Sequence, residues 1–171
     1  MKNNIVLIGM PGVGKSTIGV ILAKVLGYQF LDSDLLIQKQ ENRLLKEIIA
    51  DEGIQGFINI ENQVNSEIDV TNTVIATGGS VVYGRQAMEH LRNIGIVIYL
   101  KLSYQPLSTR LQNIKGRGVV LRDGQDLQDL YEERIPLYEQ YADIIIDEED
   151  LSIENTLIAI KNALADLTES A

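Results

Sequence analysis

At 171 residues the chain has the length of one ordinary domain, enough to remove about 70% of its unfolded surface from water. Residues of the set AVILMFWYC make up 45% and charged residues 23%, which excludes a disordered chain, and no apolar run nears the roughly 20 residues that span a bilayer. With no cysteine and a single histidine, His90, disulfides and thiolate zinc sites are excluded, and a net charge of −9 argues against a nucleic-acid or membrane surface as partner. Residues 1–4 carry no signal-peptide pattern, so the expected setting is cytoplasmic. A short apolar run at 5–8 predicts a first strand, broken by Gly9. Apolar residues at three- and four-residue spacing then predict a helix over 16–26, with Gly27 as its C-cap. A second strand is expected at 29–31, and two helices around Gly53 within 35–69. A third strand at 73–76 ends at Thr77-Gly78-Gly79. A helix near 84–93, a strand at 96–100 and a helix near 104–114 lead into a polar, glycine-spaced loop through Lys115-Gly116-Arg117-Gly118 to Gly124. A helix near 126–140, a strand at 144–146 and a helix over 152–167 close the chain. His90 reads as a helix-surface residue. Short buried strands separated by helices predict a three-layer α/β/α domain with a five-stranded parallel sheet.

Gly9-Met10-Pro11-Gly12-Val13-Gly14-Lys15-Ser16 fits G-x-x-x-x-G-K-[ST] between a strand and a helix. Glycines let successive backbone N–H groups of Gly12, Val13 and Gly14 wrap a phosphate, and the helix N-terminus through Ser16 and Thr17 adds its dipole. Lys15 can reach the outer phosphates of ATP, and the Ser16 hydroxyl can bind Mg²⁺. The alternative is an ordinary glycine-rich turn, which the flanking strand and helix argue against.

Asp32 and Asp34 follow the second strand. Two residues apart in an extended segment, both carboxylates face one side, where ligands of open α/β sheets bind. One suits Mg²⁺ and the other suits removal of a proton from an acceptor hydroxyl. A helix cap is the competing role. Arg117 in the glycine-spaced loop and Arg134 in Glu133-Arg134-Ile135-Pro136 can neutralise transferred phosphate or clamp an acceptor carboxylate, and Arg110 can cover an adenine ring. Taken alone, each arginine reads better as a solvated surface group, and only together do they point to a closed site.

Taken in order, these segments resemble the shikimate kinases. The resemblance runs from about residue 5 to 147 and rests on Gly9 to Ser16, Asp32-Ser33-Asp34, Glu52-Gly53, Gly56-Phe57, Ile75 to Gly79, the Arg117 loop and Glu133 to Tyr138. It implies a P-loop kinase fold over 1–171, with a substrate-binding helical segment about 33–62 and a lid about 112–124. It also implies ATP-dependent phosphorylation of the shikimate 3-hydroxyl by a monomer. Lys15 and Arg117 would hold phosphate, Ser16 and Asp32 would hold Mg²⁺, and Asp34 would be the base. Gly78 and Gly79 would lie against the ring, Arg134 would bind the carboxylate and Arg110 would touch adenine. Three positions depart from the family pattern. Ile58 replaces an arginine that shares the carboxylate, a loss that Arg43 or Lys46 would have to offset. Ser80 replaces a third glycine and is expected to crowd the acceptor, and Gly118 replaces a proline. Two alternatives follow: a related kinase for a hydroxylated acceptor without a tightly bound carboxylate, or a non-catalytic nucleotide-binding module.

Overall fold

The computed structural model describes residues 2–112, 119 and 121–169. Four runs rich in β-branched residues and the run Gln29-Phe30-Leu31-Asp32 form β1 (Asn4–Ile8), β2 (Gln29–Asp32), β3 (Thr73–Ala76), β4 (Gly95–Lys101) and β5 (Ile144–Asp147). They pair in parallel in the order β2-β3-β1-β4-β5. The central strand is fixed from both sides, with Val6 opposite Ile75 of β3 and Val97 of β4. Every residue of β1 is buried, as a strand covered on both faces requires. At the edge, β5 alternates buried Ile144 and Ile146 with half-exposed Ile145.

Seven α-helices are found among the described residues: α1 (Lys15–Leu26), α2 (Ser33–Glu41), α3 (Leu45–Ser66), α4 (Arg85–Ile94), α5 (Tyr104–Gln112), α6 (Leu127–Tyr141) and α7 (Ile153–Glu169). Helix α1 packs on β1, β2 and β3 and against α7, while α4 and α6 pack on β4 and α3 packs on α4. Between them lies the main core, from Leu7, Leu22 and Ile75 through Met88 and Ile98 to Tyr138 and Ile160. A smaller core of Ile37, Ile48, Phe57 and Val64 joins α2 to α3. Buried Asn4 ties three segments at the lower sheet edge: its Nδ2 donates to the carbonyls of Val70 and Ile94, and its Oδ1 accepts from the Thr73 N–H.

The 35–69 stretch departs from the expected pair of helices. A further break follows α2, where Asn42 takes the left-handed conformation at φ 51° and caps the helix through its N–H to Gln38. Gly53 does mark a kink, at φ 72° and ψ 176°, inside α3. His90, on α4, is half-buried rather than a plain surface residue, with Nε2 2.7 Å from the Ile68 carbonyl.

Candidate active site

The turn between β1 and α1 holds Gly12 at φ 88° and Gly14 at φ 100°, conformations that a side chain disfavours. Because α1 starts at Lys15, the free N–H groups of its first turn face this loop. Buried Lys15 folds over the turn, its Nζ donating to the carbonyls of Gly9 at 2.6 Å and Met10 at 2.9 Å. A cavity of about 440 Å³ opens beside it, bordered on this side by Gly12, Gly14, Lys15, Ser16 and Thr17. Val13 lies behind the turn, on a second, smaller cavity.

Asp32 divides its two oxygens between two tasks. Oδ1 caps α2, accepting from the N–H groups of Asp34 at 2.9 Å and Leu35 at 3.2 Å, while Oδ2 accepts from the Ser16 hydroxyl at 3.1 Å. The helix begins at Ser33, so Asp32 and Asp34 do not share one face of an extended strand as the spacing alone implied. The first turn of α2 nevertheless delivers both to the same cavity.

Across that cavity the backbone after β3 comes close. A Cβ at Gly78 would sit 2.7 Å from Asp34 Oδ1 and 2.8 Å from Glu61 Oε2, and one at Gly79 would sit 2.7 Å from Pro11 Cδ and 2.8 Å from Arg134 Nη1. A side chain at either position would force these neighbours to shift. Arg134, from α6, is 2% exposed, with its guanidinium 5.4 Å from the Tyr83 ring centre and its Nε donating to Tyr83 Oη at 3.4 Å. Burial disfavours its charge, but the oxygens of Tyr138 and Tyr83 outweigh that and raise its pKa. Tyr138 in turn donates to the Gly79 carbonyl at 2.6 Å, pinning the turn to α6.

Glu61 is the residue that sequence reasoning missed. It lies four residues beyond Phe57 on α3, so both side chains reach one face of the helix, and both line the cavity. Its Oε1 accepts from the Ser80 hydroxyl at 2.5 Å, and its Oε2 is buried without a hydrogen-bond partner among the described residues. Burial, reinforced by the nearby Asp34 charge, pushes its pKa up to about 7 against the pull of Ser80, Arg134 and Lys15. An isolated acid in an otherwise ordinary helix carries no periodic signal; only its spacing from Phe57 hinted at it.

Ser80 sits at φ −92°, an ordinary value needing no glycine, lines the cavity and turns its side chain to Glu61. Ile58 is buried but does not line the cavity, whose apolar wall is Leu44, Leu45, Ile49 and Phe57. Arg43 is engaged by Glu41 at 2.9 Å and by Asp51 and Glu52 at 3.2 Å, whereas Lys46 borders the cavity. Arg117 and Gly118 lie outside the described residues.

Behind the phosphate turn is the second cavity, of about 170 Å³, where Arg110 and Glu148 face Val13, Thr17 and Ile18. Arg110 Nη1 donates to the Gly12 carbonyl at 3.3 Å, joining α5 to the turn. Burial pushes Glu148 up to about 7, opposed by Arg110 and Lys15.

A glycine-rich turn closing on a lysine at the end of the middle strand of a β2-β3-β1-β4-β5 sheet places the chain among the P-loop kinases. The family profile described as shikimate kinase matches residues 11–165. A shikimate kinase of Thiobacillus denitrificans is 37% identical over 150 residues, covering 85% of this chain and 81% of that protein. One of Rippkaea orientalis is 42% identical over 146 residues, covering 84% and 77%. The solved shikimate kinase of Acinetobacter baumannii, in complex with shikimate, superposes with a TM-score of 0.83 at 32% identity over 96% of this chain and 93% of that one. This chain belongs to the shikimate kinase family.

Proposed function

We propose that the chain transfers the γ-phosphoryl group of ATP to the 3-hydroxyl of shikimate, giving shikimate 3-phosphate and ADP. One observation carries this reading: a single cavity runs from Lys15 and Ser16 at the phosphate turn to Asp34 and Arg134 at its far side. Residues Gly12 to Thr17 and Lys15 hold the nucleotide phosphates, and Arg110 lies against the base. Arg134 binds the acceptor carboxylate, Gly78 and Gly79 lie against the ring, and Asp34 accepts the hydroxyl proton as the new O–P bond forms. Catalysis then consists of alignment and charge neutralisation, without a covalent intermediate. Arg117, outside the described residues, is proposed to close over the phosphate from the lid.

Ser16 and Asp32 fit Mg²⁺. A hydroxyl and a carboxylate oxygen 3.1 Å apart beside the phosphate turn are the hard oxygen donors that this ion takes alongside water and phosphate. When bound there, the ion neutralises charge on the phosphates.

A kinase for a hydroxylated acceptor that lacks a carboxylate is the second reading, favoured by the cavity's apolar wall of Leu44, Leu45, Ile49 and Phe57. A coupled assay of ADP release with shikimate against a panel of uncharged polyols decides between them. Shikimate-dependent turnover with polyols at background is the expected result, and polyols turning over as fast as shikimate would overturn it.

A further inference from the structure

The Arg134 guanidinium is braced from behind by a network centred on Tyr83. Tyr83 ends the short turn Val81–Tyr83 that follows Gly79 and Ser80, and its N–H donates to the Ser80 carbonyl at 3.0 Å. Its phenol oxygen accepts from Arg134 Nε at 3.4 Å and donates to Glu133 Oε1 at 2.6 Å, while its ring centre lies 5.4 Å from the guanidinium. Glu133 is itself engaged by Arg122 Nη1 at 3.3 Å and by Gln125 Nε2 at 2.9 Å. Arg122 also lies over the Tyr83 ring, 5.7 Å from its centre. Arg122 thus offsets the Glu133 charge, and Glu133 takes the phenol proton in a hydrogen bond, so that a lone pair of Tyr83 faces Arg134. At its other end Arg134 reaches Gly79 on the cavity wall, with Nη1 2.8 Å from where a Cβ of that glycine would stand.

With Ile58 outside the cavity, Arg134 is the one guanidinium bordering it among the described residues. Paired N–H bonds to a carboxylate require the guanidinium plane to be fixed, and a long side chain held at one point does not keep it. Here the ring contact restrains the plane and the Nε bond restrains rotation within it. A neutral phenol does this without a formal charge, which leaves the Arg134 cation available to a ligand anion. We infer that Tyr83, itself held by Glu133, is a positioning residue that orients Arg134 for the carboxylate of the acceptor. This rests on the reading of Arg134 proposed above and adds to it the residue that sets how tightly that carboxylate is held. Tyr83 borders neither cavity, so its influence on the acceptor passes through Arg134.

The test measures calorimetric binding of shikimate and of the primary alcohol in which a hydroxymethyl group replaces its carboxylate, in wild type, Tyr83→Phe and Tyr83→Leu. The coupled assay supplies kcat and the KM for ATP alongside. Wild type should bind shikimate on the order of tenfold to a hundredfold more tightly than the alcohol. Tyr83→Phe keeps the ring and loses the oxygen, and should weaken shikimate about threefold to tenfold. Tyr83→Leu loses the ring contact as well and should weaken it roughly tenfold to a hundredfold. In both variants kcat at saturating shikimate, the KM for ATP and the affinity for the alcohol should stay within about twofold of wild type. Equal weakening of shikimate and the alcohol would mark a merely structural role and overturn the inference, as would unchanged shikimate binding in Tyr83→Leu. Should the leucine variant fail to fold, Tyr83→Phe, which keeps the packing, still reports through the same comparison. Wild type binding the alcohol as tightly as shikimate would overturn the role of Arg134 on the carboxylate as well, whereas a preference that both variants keep in full overturns the positioning role alone.

Discussion

Glu61 shows how a buried acid is tolerated where chemistry is done. Its ordinary value near 4.5 is pushed up to about 7, so the folded chain holds its proton more tightly than the unfolded chain does. Below pH 4.5 both states are protonated and no difference arises. Between 4.5 and 7 the unfolded state ionises first and stability falls; above 7 the penalty is constant. Glu61→Gln removes it, so the variant should match wild type near pH 4.5 and exceed it by up to about 3 kcal/mol at pH 8 in urea melts. Gly78→Ala would drive a methyl group against Asp34 and Glu61, and kcat/KM for the acceptor should drop on the order of a hundredfold with ATP affinity retained. Lys15→Ala should lower kcat on the order of a thousandfold in the coupled assay, since its charge lies beside the phosphate turn. Much of this site was legible: glycine spacing announced the turn, and Asp34 and Arg134 reach the cavity. Glu61 and Glu148 were not legible, because what singles them out is burial with one carboxyl oxygen unpartnered among the described residues, which appears only when distant segments meet.

Among the elements, α3 carries one wall of the phosphate cavity, and its direction is set by one residue. Gly53 combines φ 72° with ψ 176°, a region essentially confined to glycine, and this bend separates the Ile48 end from the Phe57 end that faces the cavity. A Cβ there would touch nothing within 4 Å, so any cost of Gly53→Ala comes from backbone strain alone. The expected destabilisation is about 1–3 kcal/mol by chemical denaturation, accompanied by a rise in acceptor KM. Strands and most helices followed from periodicity to within a residue or two, as at Thr73–Ala76. The break after α2 did not, because Asn42 adopts a left-handed cap that a polar residue permits without announcing. The segment around Arg117 keeps its expected lid role as a proposal outside the described residues.

At the scale of the molecule, a chain of net charge −9 keeps Lys15, Arg110 and Arg134 at the phosphate cavity and the smaller one behind it, so anions are drawn to one region of an acidic surface. Nucleotide and acceptor should each stabilise the fold by mass action. At a hundred times its dissociation constant, ADP should raise the melting temperature by roughly 5–10 °C in a thermal shift measurement. The central claim is that the far end of the phosphate cavity is the acceptor site. A crystal structure with shikimate and a non-hydrolysable ATP analogue tests it most directly. The account predicts the shikimate ring over Gly78 and Gly79, with the reacting hydroxyl on Asp34 and the carboxylate on Arg134; shikimate bound away from Asp34, with Arg134 touching no ligand, would contradict it.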